Sequence, residues 1–167
     1  MDSSYISPFV LSVTNVFETM LQLPVEVQSP TLKQQGAPSF DVSGIIGMSG
    51  DVEGTVVLSF PTAVAERVVA LFTGMELSAA EEDFADAVGE LVNMVSGGAK
   101  AKFEGKDVTI TTPSVVVGQD HTVFGRKDVT CVEIPCACDA GEFNVEVSIK
   151  QSASAVGSAG AAGSATA

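Results

Sequence analysis

Within one stretch of fifteen residues lie the side chains best suited to act on another molecule. The segment Asp86-Ala87-Val88-Gly89-Glu90-Leu91-Val92-Asn93-Met94-Val95-Ser96-Gly97-Gly98-Ala99-Lys100 has the spacing Asp-x3-Glu-x2-Asn-x3-Gly. On a helix, at about 100° per residue, Asp86, Glu90, Asn93 and Gly97 share one narrow arc, and Lys100 lies close to it. Glu90 and Asn93 are neighbours one turn apart. Phe84, Val88, Leu91 and Val95 occupy the opposite arc, with Ala87, Val92 and Ala99 beside them, and form a core face. The plain reading of the polar arc is the solvated side of an amphipathic helix. Two details speak against it. Asparagine is a poor mid-helix residue because its side chain competes for the backbone. Gly97-Gly98 costs about 1 kcal/mol per glycine relative to alanine. A bare stripe around a carboxylate and a carboxamide suits a surface that another backbone approaches closely.

The other chemistry-bearing residues are less promising. His121 is the only histidine, and although Asp120 precedes it, no Gly-x-Ser-x-Gly nucleophile motif is present. A turn histidine without a catalytic role is the simpler reading. Cys131, Cys136 and Cys138 follow a Cys-x4-Cys-x-Cys spacing with no second cluster and no nearby histidine, which makes a poor zinc site. They read as free thiols packed in a strand hairpin, with no helix N-terminus to lower their pKa. Glycines 44, 47, 50 and 54 are not followed by Gly-Lys-Ser/Thr and form no Gly-x-Gly-x-x-Gly, so turn and close-packing roles fit them better than a phosphate cradle.

The elements that position the polar stripe are legible in outline. Ser78, with Glu81 three residues on, reads as a capping box opening the stripe-bearing helix, which is expected over 79–103. Ser7-Pro8 reads as the start of an N-terminal helix over 8–21, apolar on one side through Phe9, Val13, Val16 and Met20. Strand 25–27 and a loop over 30–38 follow. Residues 40–60 read as a glycine-assisted hairpin turning at 50–53. A helix over 63–73, stopped by Gly74, comes next. Strands are expected over 108–112, 114–117, 121–124, 129–138 and 143–150, with a turn at 139–142. Pro135 inside its strand argues for an edge or a bulge. Helices at the start and middle, with strands grouped between and after, imply an α+β fold: a largely antiparallel sheet, a long motif-bearing helix and an N-terminal helix packed on it.

Composition bounds the rest. The chain has 167 residues, room for one domain, and 46% of them are apolar, enough for a real core. A net charge of −13 argues against a nucleic-acid or polybasic membrane-surface role, both of which need a basic face. No stretch near the start is long and apolar enough to span a bilayer, and no basic n-region marks a secretory signal. The charge lies in residues 1–151, read as the folded domain; the Ala/Ser/Gly-rich residues 152–167 read as a flexible tail.

The stretch from Asp86 to Lys100 resembles the signature helix of the CheC, CheX and FliY chemotaxis phosphatases, Asp/Ser-x3-Glu-x2-Asn, followed some twenty residues later by a proline. Pro113 stands twenty residues after Asn93. The hairpin at Gly44–Phe60 and the closing hairpin Val132–Phe143 are similar to family members as well, so the resemblance covers most of residues 5–151. The N-terminal helix carries Asn15-x2-Glu18, the reverse of Glu-x2-Asn, so the chain resembles the single-site CheX branch.

The resemblance implies a phosphatase acting on the aspartyl phosphate of a CheY-like receiver domain. Asn93 would orient the attacking water through its carboxamide oxygen without bringing negative charge to the phosphoryl group. Glu90 would pair with the receiver's active-site lysine, and Asp86, Gly97 and Lys100 would contribute to docking. Mg2+ is expected in the receiver's own site, with no metal or cofactor bound by this chain. The resemblance further implies a cytoplasmic homodimer joined edge to edge through its sheets, with the Pro135 strand as edge candidate. The competing reading is a non-catalytic receiver-binding or flagellar-switch scaffold, or an adaptor that dimerises through its sheet.

Overall fold

The computed structural model describes residues 3–152. The flexible tail expected over 152–167 falls, beyond Ser152, outside the described residues. The elements run α1 (Ser3–Leu21), β1 (Glu26–Val27), β2 (Thr31–Leu32), β3 (Val42–Gly50), β4 (Val52–Phe60), α2 (Thr62–Thr73), α3 (Glu82–Lys100), β5 (Val108–Ile110), β6 (Ser114–Val117), β7 (Val132–Cys138) and β8 (Gly141–Gln151). The fold is α+β, as the grouping of helices and strands implied. All strand pairings are antiparallel, in the order β1-β7-β8-β4-β3-β5, with β2 also pairing β7 and β6 also pairing β3. Each outer position is thus filled by two short strands placed end to end.

The three helices cover one face of the sheet. Alternate residues of the long strands point into that layer: Val42, Ile46, Val56, Leu58, Phe60, Phe143, Val145 and Val147 are all fully buried. Phe143 anchors the centre, stacked on Phe17 of α1 at 4.7 Å and on Phe60 at 5.2 Å between ring centroids. The expected core face of α3 is correct, since Phe84, Val88, Leu91 and Val95 have no exposed surface.

Several boundaries differ from the sequence reading, each for a tertiary reason. Helix α1 begins at Ser3, not at a Ser7-Pro8 cap, and Pro8 lies inside it. The extra turn is held by Tyr5 and Phe9, whose rings pack 6.1 and 6.0 Å from Phe103. Helix α3 begins at Glu82, not after Ser78: the Glu81 carboxylate does accept from Ser78 N at 2.6 Å, but the residues between form a turn ahead of the helix. The helix ends at Lys100, and Phe103 turns back to pack on α1. Residues 121–124 are not a strand. His121 fastens that loop instead: Nδ1–H donates to Gly118 O (2.8 Å), so Nε2 accepts from the Ser43 hydroxyl (2.7 Å).

Pro135 was expected at a sheet edge or bulge. Strand β7 is not the edge, because β1 and β2 pair with its outer side. The proline sits opposite the gap between those two short strands, where its carbonyl accepts from Gln28 N at 2.9 Å. A strand residue's N–H and C=O point to the same side, so the missing donor also faces the gap.

Helix α3 meets its neighbours closely at three glycines, two where a side chain would be tight and one where a neighbour would have to shift. A Cβ on Gly44 of β3 would lie 3.0 Å from Val92, one on Gly89 would lie 3.3 Å from Pro113, and one on Gly98 would lie 2.3 Å from Ser12 Oγ of α1. Ser12 also donates to Val95 O at 2.7 Å, joining the two helices. Gly97, one residue away, has nothing within 4 Å of where its Cβ would be.

The opposite face of the sheet is covered by the segments around residues 33–39 and 119–131. Over β8 lies a buried ion pair, Lys33 Nζ to Glu146 Oε1 at 2.8 Å, with side chains only 8% and 3% exposed. Ser39 Oγ bonds both Glu146 oxygens at 3.1 Å and accepts from Lys33 at 3.0 Å. The sequence reading did not find this cluster.

Two stability outcomes follow from these contacts. Gly98→Ala should destabilise by about 1–3 kcal/mol through overpacking against Ser12, whereas Gly97→Ala should stabilise by about 0.5–1 kcal/mol through helix propensity alone. Denaturant unfolding of both variants checks the opposite signs. Lys33→Met should cost about 3–5 kcal/mol, because it strands the Glu146 charge, and adding Glu146→Leu should recover most of that loss. Equal damage from the single and double variants would contradict the pairing.

Candidate functional site

The site is built on α3, and local sequence alone does not make that helix secure. Its 19 residues include three glycines and an asparagine, each a weak helix former. Tertiary packing supplies what propensity lacks. The buried residues Phe84, Ala87, Val88, Leu91, Val92, Val95 and Ala99 seat one side on the sheet and on α1. Glu82 and Asp83 stand in the first turn and Lys100 in the last, signs that suit the helix dipole.

On the outward side, Asp86, Glu90 and Lys100 are exposed, and Asn93 and Gly97 are partly exposed. All five residues singled out from spacing therefore lie along one outward stripe. Among the described residues, no hydrogen bond or ion pair engages the side chains of Asp86, Glu90, Asn93 or Lys100. A carboxylate and a carboxamide are thus held one turn apart, available to an incoming molecule, on a helix whose other side is fully packed. The carboxamide offers both a neutral acceptor and two donors, while the carboxylate offers a negative charge to a cation.

Pro113 is brought to this stripe. Thr111 pairs with Gly47 of β3 through two bonds, Thr111 N to Gly47 O and Gly47 N to Thr111 Oγ1, both 2.9 Å. That tether carries the exposed Pro113 onto α3 at Gly89, beside Glu90. Gly89 itself was not singled out from sequence, although an isolated mid-helix glycine next to a candidate carboxylate was a readable signal. Gly98 requires a different account from the bare-stripe reading, since its missing side chain makes room for Ser12 of α1. Gly97 keeps the open aspect expected of it.

The remaining candidates take no part. His121 has both ring nitrogens engaged, by Gly118 and Ser43. Cys136 is buried, and burial pushes its thiol up to about 12; burial also raises Cys131. Both are held in the unreactive thiol form. Among the described residues, no group of three or more His, Cys, Asp or Glu is arranged to hold a metal ion, and no helix is long and apolar enough to cross a membrane. A cleft of about 310 Å3 lies on the far side of the sheet, lined in part by Lys33, Thr55, Glu146 and Ser148, away from the α3 stripe.

Comparison with known proteins places this arrangement. Residues 42–137 match the model of the chemotaxis phosphatase CheX family. The chain is 30% identical over 156 residues to the CheY-P phosphatase CheX of Thermotoga maritima, covering 90% of this chain and 98% of that protein. The crystal structure of a chemotaxis protein CheX from Desulfovibrio desulfuricans is similar with a TM-score of 0.80 and 32% identity, over 89% of this chain and 99% of that one. A CheX–CheY–BeF3–Mg2+ complex from Borrelia burgdorferi shares the fold, with a TM-score of 0.73 and 24% identity over 88% of this chain and 98% of that one. With its antiparallel sheet, its packed α3 and its matching relatives, the chain belongs to the chemotaxis phosphatase CheX family.

Proposed function

We propose that this chain is a CheX-type phosphatase that hydrolyses the aspartyl phosphate of a CheY-like receiver domain, with Asn93 as the water-orienting group and Glu90 as the anchor. The observation that carries the reading is the pairing of Glu90 and Asn93, unengaged and outward on a rigidly packed helix. The relative in Thermotoga maritima is a CheY-P phosphatase, which agrees with it.

An acyl phosphate already has a good leaving group, and Mg2+ in the receiver's own site offsets the phosphoryl charge. What the helix adds is position. When α3 lies across the receiver's site, the Asn93 carboxamide oxygen accepts a proton of one water and aims its oxygen in line with the scissile P–O bond. The water's oxygen bonds to phosphorus as the bond to the aspartyl oxygen breaks. The products are inorganic phosphate and the free carboxylate, and the water's proton passes to phosphate or solvent. An aspartate at this place would face the phosphoryl oxygens with like charge. Glu90, one turn away, pairs with the receiver's active-site lysine. Asp86 guides docking at the edge, and Gly97 leaves room for the receiver's backbone. No covalent intermediate on this chain is required. The domain responsible spans residues 1–151 and works in the cytoplasm.

We also place a homodimer contact on the outer side of β6 rather than on the Pro135 strand. Strand β6 pairs with β3 on one side only, and its Val116 and Val117 are 37% and 44% exposed. An exposed, uncharged edge of this kind is suited to pairing with a second copy. Light scattering at micromolar concentration should give twice the chain mass, and Val116→Lys should return it to a monomer. A monomeric parent chain overturns the assignment.

The catalytic roles separate by mutation. Asn93→Ala should lower receiver dephosphorylation by about two to three powers of ten, equivalent to about 3–4 kcal/mol, with little change in affinity for a beryllofluoride-activated receiver. Glu90→Ala should weaken that affinity as well as the rate. Both positions are outward, so melting temperatures should stay close to that of the parent. Near-normal turnover by folded Asn93→Ala would leave the scaffold reading in its place.

A further inference from the structure

The basic residues of this acidic chain are not evenly deployed. Of its eight Lys and Arg, Lys33, Arg67, Arg126 and Lys150 are held by hydrogen bonds or ion pairs within the molecule. The other four have none among the described residues. One, Lys127, lies beside the cleft on the far side of the sheet. The remaining three, Lys100, Lys102 and Lys106, sit together at the C-terminal end of α3 and in the turn beyond it. Lys106 is further held near the Tyr5 ring, its Nζ 6.0 Å from the centroid.

The N-terminal half of the same helix has the opposite sign. Glu82, Asp83, Asp86 and Glu90, with Glu81 just ahead of the helix, follow one another with no basic residue between Arg67 and Lys100. The helix dipole accounts for Glu82, Asp83 and Lys100, which lie in the terminal turns. It does not account for Asp86 and Glu90 in mid-helix, nor for Lys102 and Lys106 beyond the helix end. Glu104 and Asp107 interrupt the lysines but leave that segment net positive. The stripe, from Glu82 to Lys100, and the turn that follows it therefore have a polarity along the chain, with the partly exposed Lys106 over Tyr5 of α1, and the proposed catalytic pair lies between the two ends.

We propose, on the basis of the phosphatase reading, that Lys100, Lys102 and Lys106 form a rim patch that engages carboxylates on the receiver surface and sets the direction in which the receiver lies along α3. At about 1.5 Å per residue, Lys100 is about 10 Å along the axis from Asn93. That is too far to touch the phosphoryl group and within reach of the rim of its pocket. A receiver that holds an aspartyl phosphate with Mg2+ needs carboxylates around the metal, so its surface there is acidic. Against a partner surface of that charge a chain of net charge −13 is repelled overall, and such a patch reverses the repulsion locally. Reversed docking would set Glu82, Asp83 and Asp86 against those carboxylates, so the polarity rejects the wrong orientation as well as favouring the right one.

The test compares Lys102→Glu and Lys106→Glu with Lys127→Glu, a change of the same size on the far side. Steady-state dephosphorylation is measured against the host's CheY-like receivers, and affinity against the same receivers carrying beryllofluoride and Mg2+. Lys102→Glu and Lys106→Glu should each raise KM roughly five- to twentyfold and leave kcat within twofold, and the difference should shrink as salt rises from 0.05 to 0.5 M, about tenfold in ionic strength. Lys127→Glu should leave KM near the parent value. Unchanged KM for both rim variants, or an equal rise for Lys127→Glu, overturns the rim patch while the phosphatase reading stands. A parent chain that binds the activated receiver without turnover overturns catalysis instead, and the same three variants then judge the patch by Kd. A parent chain that neither binds nor turns over any receiver overturns both.

Discussion

The placement of the Glu90–Asn93 pair depends on close approach at three glycines. Helix α3 is fixed from below by Gly44 of β3 under Val92, from one flank by Pro113 against Gly89, and from another by Ser12 of α1 against Gly98. The first two contacts are immediate neighbours of that pair, since Val92 adjoins Asn93 and Gly89 adjoins Glu90. A helix with side chains has a radius of about 5–6 Å, so a 20° roll about its axis would move a side-chain tip by roughly 2 Å. A misplacement of about 1 Å can cost two powers of ten in rate. The proposed chemistry therefore needs the roll held to a few degrees, and close-packed backbone and stiff rings do so better than long flexible side chains.

Stability and the site draw on different parts of the molecule. Strand β8 is central to both layers: Phe143, Val145 and Val147 fill the helix side, while Glu146 anchors Lys33 and Ser39 on the other. Glu133 lies opposite Glu146 across β7 and β8, and burial followed by that like charge raises its carboxyl above the usual range. The lysine thus holds one carboxylate while a second stays close by. None of these groups lies on the α3 stripe. The polar stripe can consequently be altered without disturbing the interior, as a surface whose residues are chosen for a partner requires.

The candidate site was more legible than the ends of the elements that carry it. Its signal is period and chemistry on one helix: the core face through Phe84, Val88, Leu91 and Val95 fixes which way Glu90 and Asn93 point, and those are local facts. The hairpin over 40–60 and the strand 114–117 were legible for the same reason. Boundaries failed where distant partners decide. Residues Ser3–Ser7 are helical because Tyr5 and Phe9 meet Phe103 almost a hundred residues later. Residues 121–124 have strand composition, yet His121 is consumed in bonds to Ser43 and Gly118. The Lys33–Glu146 pair joins residues 113 apart, and no pattern in either neighbourhood announces it. The strand of Pro135 was read as an edge or a bulge and is neither, because the side that lacks the proline's donor faces the gap between β1 and β2.

Four residues of α3 break the ordinary rules for a helix interior: Gly89, Asn93, Gly97 and Gly98. Their surroundings divide them. Gly98 makes room for Ser12 and Gly89 gives Pro113 a close seat, so the cost of each is offset inside the molecule. Gly97 has open space beside it, and Asn93 has no hydrogen-bond partner among the described residues, so nothing within the fold offsets either. Natural helices keep such choices where a partner, rather than the fold, sets the demand. Gly97 lies one turn beyond Asn93 on the same stripe, so one approaching surface would meet both a carboxamide and bare backbone. Those two residues carry the outward demand, with the exposed Glu90 carboxylate one turn before Asn93 on the same face.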